Sequence, residues 1–384
     1  MFPSRFVHLD LARHRFGSRV DRLGAFLGAA DPAADAAVEA LAGRTAEERE
    51  RLVDQALTGD VRSLPDPLAA LRASLSPLPF WADLDRARRG GEVLLRTGFF
   101  GGVVLGFRSL VAGYCSPAGN KPLVLSGRLR EAAPRRLSET SRFVSLVYQP
   151  GSLAPGAPGW VAAARVRLMH AQIRRLLRPS PRWDRAAWGD PINQVDMAGT
   201  VLLFSLVLVD GLRMLGFRIG QQECEDVLHL WRVAGWVLGV EQELLCATEA
   251  EARVLWELLE ATQQPPDADS AALATALLES PLHEARSAAE RARAERFLPV
   301  AYGIGRHLIG DRYADALGYP RTPWRLVAPA LRTLISGTGR LVGRLPGIDR
   351  LALETGLRYW RRTVELGLAG EEARFEMPAG IGRA

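Results

Sequence analysis

Lysine is nearly missing from this chain. Lys121 is the only one among 384 residues, so the formal charge of +6 is carried by arginine. Such a bias reads as the codon usage of a GC-rich genome rather than as a nucleic-acid site. A DNA or RNA binder gathers its positive charge on one element with aromatics between, and here acidic residues are mixed in almost everywhere. Nucleic acid is therefore not an expected partner.

Cysteine is scarce as well. Cys115, Cys224 and Cys246 are odd in number and far apart, which excludes a disulfide framework and a CxxC metal knuckle. They read as small buried apolar residues of a reducing compartment. The opening "MFPSRFVHLDLARHRFGSRV" has neither the apolar core of a secretory leader nor a twin-arginine pair, so a cytoplasmic, at most membrane-peripheral, location is expected. Long hydrophobic runs are missing too. "TGFFGGVVLGF" and "MAGTVLLFSLVLV" are the greasiest stretches, and both fall short of the ~20 apolar residues of a bilayer crossing. They are expected to be buried core helices.

The common catalytic signatures do not occur: HExxH, GxSxG, a Walker loop, the Rossmann glycine fingerprint and DDxxD are all absent. Alternating strands, NG or DG hairpin turns and internal repeats are absent as well. What remains is helical periodicity, in a chain 48% hydrophobic and 24% charged, enough for a large core. The expected class is all-α. Residues 92–114 read as one buried helix with Gly98, Gly102 and Gly106 at every fourth position, clearing a face for a neighbour. Residues 195–216 read as the most apolar helix, and "TQQPPDADS" near 262–270 as the best linker.

One stretch raises a chemical question. In "RVRLMHAQIRR", residues 165–175, Val166, Met169, Ile173 and Leu177 share a helix face, and His170 lies about 40° from Val166 on that face. Arg174 and Arg167 follow on the adjoining edge, at about 80° and 100°. Burying a neutral imidazole is cheap only when both ring nitrogens find partners. A core histidine bonded to a backbone carbonyl, with exposed arginines beside it, satisfies the pattern. The sharper alternative is a metal or haem iron held by His170, with the arginines on anionic groups of the same cofactor. A second helix, "PRRLSETSRFVSLVY", places Leu137, Val144 and Tyr148 on one face, Thr140 beside it and Arg136 one turn earlier. Arg136 and Thr140 could reach one ligand edge together. The remaining histidines, His8, His14, His229, His283 and His307, are scattered singly, and His229 reads as a satisfied core residue.

Arg167-x-x-His170-x-x-x-Arg174, preceded by Arg136-Leu137-x-x-Thr140, resembles the haem-b oxygenases that include the latex-clearing (rubber oxygenase) and MpaB-like proteins. "INQVDMAGTVLLFSLVLVDGLRMLGFRIGQQE" and "LHLWRVAGWVLGV" are similar to that family's central segments, so the resemblance spans roughly residues 90–246. It implies a globin-like helical core over 91–262, with an N-terminal helical extension over 1–90 and a C-terminal helical portion over 271–384 packed on that core. It implies haem b as cofactor, His170 as the proximal iron ligand, and Arg136, Thr140, Arg167 and Arg174 around the haem or its propionates. Glu139 and Thr140 become the candidate catalytic residues, acting with O2 on a hydrophobic, isoprenoid-like substrate in a pocket formed partly by the 195–216 helix. There are departures. Glu139 stands where latex-clearing members carry a lysine, and only Asn120 or Lys121 falls near the place of their distal acid.

A second expectation concerns residues 321–362. Nine arginines stand there against Asp349 and Glu354, with Trp324, Tyr359 and Trp360 interleaved, a composition suited to peripheral contact with anionic lipid. A haem- or lipid-binding protein without turnover, docking at a membrane surface, is the alternative to an enzyme.

Overall fold

Helix starts are written into the sequence at short polar residues. Asp31, Thr45, Asp83, Asn193, Thr248, Asp267 and Ser287 each accept a backbone N–H of the first turn that follows them, and Thr45 forms a reciprocal capping box with Glu48. The computed structural model describes residues 2–60, 62–125, 133–342 and 347–367. The side chains of 133–137, 338–342, 348–349 and 364–367 lie outside the description. Among the described residues the fold is all-α, with no strand and one isolated antiparallel bridge between Phe6 and Gln263.

At the centre, the Leu84–Leu95 helix is sandwiched between two others. A Cβ at Gly90 would overlap the Asp226 carbonyl of the Gln221–Val237 helix, and one at Gly91 would overlap the Tyr148 carbonyl of the Ala133–Tyr148 helix. Two adjacent glycines thus let one helix touch backbone on both sides, which no larger residue permits. Asp226, buried beside this crossing, accepts from Arg86 Nε at 2.9 Å and Arg89 Nε at 3.0 Å.

Two expected long helices are broken. The 92–114 stretch bends by 91° after Leu95, because Gly98 adopts φ +50°, a conformation open to glycine at little cost. It continues through Phe99–Val104, a π-helical turn over Leu105–Ser109 and Leu110–Tyr114. The glycines still serve as a docking face in part: Gly356 of the Ile348–Gly367 helix lies against Gly98, and Tyr359 Oη lies over Gly102. The 195–216 stretch divides at Ser205 into Gln194–Phe204 and Leu206–Met214, with Ser205 Oγ bonded back to the Val201 carbonyl at 2.7 Å. Taken together, Gln194–Met214 is 21 residues long and its most apolar 18-residue window has mean hydropathy 1.8, so by length and composition it could cross a bilayer, contrary to the sequence expectation. In this fold 78% of its most apolar window is buried in protein.

The polar stretch near 262–270 is pinned rather than free. Val7 N–H donates to the Thr262 carbonyl, Gln263 Nε2 donates to the Cys115 carbonyl, and Asp267 receives Lys121 Nζ at 3.2 Å. The C-terminal Ile348–Gly367 helix returns to the core, where Trp360 is buried edge-on to Tyr148 at 5.7 Å. Gly90→Ala should lower stability by about 1–3 kcal/mol through overpacking against the Asp226 carbonyl. Thermal unfolding followed by circular dichroism checks this, and an unchanged Tm would contradict the backbone contact.

Candidate functional site

Two histidines lose their solvent in the interior, and they differ in one respect. His229, on the Gln221–Val237 helix, accepts the Asp83 backbone N–H at its Nε2 at 3.0 Å and meets Trp81 edge-on at 6.3 Å. It is the satisfied core residue that its setting suggested. His170, on the Pro158–Leu177 helix, has a buried Nδ1 with no hydrogen-bond partner among the described residues. The residue nevertheless keeps part of its surface accessible. Burial pushes both pKa values down to about 4, assisted at His170 by the neighbouring Arg174 and opposed by Asp31. Both rings are neutral at pH 7, but only His170 holds an unspent buried polar atom.

The arginines beside His170 are held by carboxylates from the N-terminal part of the chain. Arg167 binds Asp31 through two bonds, Nε to Oδ2 at 2.6 Å and Nη2 to Oδ1 at 2.9 Å, both residues being buried. Gly239, at φ +85°, closes over this pair, and a Cβ there would collide with Asp31 Oδ2 and Arg167 Nε. Arg174 donates from Nε to Asp35 Oδ1 at 2.7 Å, while its Nη2 is buried and unpartnered. Arg178 bridges Asp35 and Asp190, Arg175 pairs with Glu39, and Arg165 pairs with Glu50 and Asp54. Sequence reasoning missed this row of acids. The signal was there: in "DPAADAAVE", Asp31, Asp35 and Glu39 recur every fourth residue and mark one face of the Pro32–Ala40 helix and its cap.

The second expected element, the Ala133–Tyr148 helix, packs against the Pro158–Leu177 helix. Val144 and Tyr148 are fully buried, as their spacing required, and Glu139 and Thr140 are half-buried on the same helix. The Arg136 side chain lies outside the described residues.

The 195–216 segment lines a cavity of about 300 Å³, through Val195, Leu203, Phe204 and Val207, but His170 is not among the lining residues. Leu123, Trp256 and Leu259 complete its apolar wall, and Phe204 stacks on Trp231 at 4.8 Å, which in turn meets Phe143 and Tyr148 of the Ala133–Tyr148 helix. Asn120 also lines the cavity, with Nδ2 donated to the Tyr114 carbonyl at 2.6 Å. Lys121 is tied to Asp269 at 2.6 Å as well as to Asp267. Neither residue offers a free base there.

No group of three or more His, Cys, Asp or Glu is gathered among the described residues in the manner of a chelated ion. A lone neutral imidazole beside cationic groups suits a metal that brings its own equatorial ligands and its own anionic edge. The family described as ER-bound oxygenase mpaB/B'/rubber oxygenase, catalytic domain, matches residues 93–340. The chain belongs to this family. It is 27% identical over 313 residues to the rubber oxygenase of Streptomyces sp. (strain K30), covering 79% of this chain and 73% of that protein. A solved structure of latex clearing protein LCP in the closed state shares the fold, with a TM-score of 0.72 at 23% identity over 92% of this chain and 94% of that one. Membership in the mpaB/rubber oxygenase family places the chain among oxygenases. The family match begins after Asp31 and Asp35, yet both reach into it to hold Arg167 and Arg174.

Two consequences can be measured. The folded pKa of His170 lies below the ordinary 6.5, so above that pH its titration leaves stability unchanged. As pH falls from 6.5 towards 4 the unfolded chain takes up a proton that the folded one refuses, and stability drops by about 1.4 kcal/mol per pH unit for each such histidine. In cofactor-free protein, His170→Gln should make the fall of Tm over this window shallower, and an unaltered pH profile would contradict the assignment. Asp31→Asn leaves the Arg167 charge buried and unpaired, and should cost about 3–5 kcal/mol in chemical denaturation. Asp31→Leu combined with Arg167→Met should recover most of that loss.

Proposed function

We propose that the protein is a haem b-dependent oxygenase acting with O2 on a hydrophobic, unsaturated, isoprenoid-like substrate. The observation that carries this reading is the buried His170 ring, neutral at pH 7, with an Nδ1 that nothing in the described protein satisfies. A buried polar atom without a partner costs folding free energy and persists where something else completes it.

The residues present fit haem b. His170 would hold the iron, since desolvation and the Arg174 charge keep its lone pair free of a proton. Arg174 would hold a propionate, because Asp35 occupies its Nε and leaves Nη2 free. Arg167 already spends its Nε and Nη2 on Asp31 and would set the orientation of the His170 helix instead. Arg136 and Thr140, from the neighbouring helix, would border the same group, and Glu139 and Thr140 would face the reacting substrate. When bound, the haem supplies the redox chemistry of oxygen activation, and the protein supplies ligation, anchoring and a dry site. The relative named rubber oxygenase supports a polyisoprene-like substrate, as does the apolar cavity beside the Phe204–Trp231 stack.

Haemin added to the purified protein should give a Soret band that His170→Ala abolishes and that imidazole partly restores in His170→Gly. An oxygen electrode should register uptake with an unsaturated isoprenoid and none with its saturated analogue. Retention of the full band in His170→Ala would overturn the ligand assignment. Haem binding without substrate-dependent oxygen uptake would overturn the oxygenase reading.

A further inference from the structure

Beside the apolar wall of Leu203, Phe204, Val207 and Leu259, the cavity is also lined by Arg108, Glu260 and Tyr313. Three separate elements bring them there. Arg108 lies in the π-helical turn Leu105–Ser109, Glu260 in the Glu249–Thr262 helix and Tyr313 in the Asp311–Ala316 helix. A single π-helical turn interrupts the regular hydrogen-bond ladder and occurs frequently at functional sites.

Arg108 is a cation without a counter-ion. Its Nε donates to the Val207 carbonyl at 3.1 Å and its Nη1 to the Leu308 carbonyl, so the backbone fixes the guanidinium. Among the described residues no carboxylate pairs with it and Nη2 makes no hydrogen bond. Burial lowers the Arg108 pKa, opposed by the charges of Asp210 and Glu260. Asp210 is itself engaged by Arg253, Nη2 to Oδ1 at 2.8 Å.

Glu260 is the complementary group. It accepts from the Tyr313 hydroxyl at 3.4 Å, a long bond. Its surface is accessible, yet the surrounding protein raises its pKa above the ordinary 4.5, opposed chiefly by Tyr313 and Arg108. A carboxyl on a cavity wall has both properties, since it can be reached and is poorly hydrated. Arg108 and Glu260 form no ion pair, but each acts on the other's pKa, so a group placed between them meets both.

We propose that the cavity takes an isoprenoid with a neutral hydroxyl at one end, the hydroxyl seated between Arg108 and Glu260 and the hydrocarbon against the apolar wall. A hydroxyl accepts one hydrogen bond and donates another. It takes Nη2–H of Arg108 and gives its own O–H to Glu260, completing both groups without adding charge. A carboxylate or phosphate would meet Glu260 and an ammonium would meet Arg108, and a poorly hydrated site makes either contact between like charges costly. A plain hydrocarbon would strip water from both groups and replace none of its bonds. The proposal narrows the substrate class of the oxygenase reading and rests on that reading for the fate of the ligand, while binding itself needs no haem.

Titration calorimetry on the cofactor-free chain checks this with geraniol as the probe. Geraniol should bind, whereas its methyl ether, which cannot donate, and geranic acid, which is charged, should each bind about tenfold more weakly. Glu260→Leu should make geraniol and the ether bind alike, with circular dichroism confirming that the variant is folded. The comparison of ligands on the unaltered chain stands whatever a variant does to folding. The proposal is overturned if geraniol does not bind, if the unaltered chain binds the ether or the acid as tightly, or if folded Glu260→Leu keeps the preference. Oxygen uptake with a hydrocarbon isoprenoid by a chain that does not bind geraniol would overturn this proposal alone. Geraniol binding without oxygen uptake by the haem-loaded protein would overturn the oxygenase reading alone.

Discussion

The ion pairs that tie Asp31 and Asp35 to Arg167 and Arg174, the first buried and the second partly buried, are the constraint on which the rest depends. Removing such charges from water is expensive, and the bidentate geometry of the Asp31–Arg167 pair repays it only where donors and acceptors are matched. Asp31 comes close to that limit: it caps its own helix through the Ala34 N–H and receives both bonds of Arg167. Arg174 does not, because one amino group is left over. The positive charge so retained next to His170 helps to keep the imidazole unprotonated. A structural device that fixes the N-terminal part of the chain to the His170 helix thereby also sets the chemistry of the ring.

The same logic separates the two desolvated histidines. His229 spends its lone pair on the start of the Leu84–Leu95 helix, and that helix is held from both sides through Gly90 and Gly91. His170 spends nothing. Burial is common to both, so burial alone does not mark a functional residue, and what separates His170 from His229 is the unpartnered Nδ1.

Local periodicity carried the all-α class, the apolar faces of the helices bearing His170 and Tyr148, and the structural role of His229. It could not carry pairings such as Asp31 with Arg167, which are far apart in sequence, because spacing along one helix says nothing about which helix lies opposite. The breaks at Gly98 and Ser205 were hidden for another reason. Both sit inside continuous apolar runs, and the choice between a bent and a straight helix was made by packing: Gly356 and Tyr359 press on the first segment, and a back-bonded hydroxyl interrupts the second. The 195–216 segment lines a cavity that does not include His170, whereas the family resemblance had implied a pocket shared with it.

The central claim is that His170 holds an iron through its ring. Anomalous diffraction at the iron edge, from crystals of the haem-loaded protein, tests it most directly. The account predicts a single iron peak within bonding distance of the His170 imidazole, with density for a propionate at Arg174 Nη2. An iron peak anywhere else, with His170 making an ordinary hydrogen bond, would contradict it.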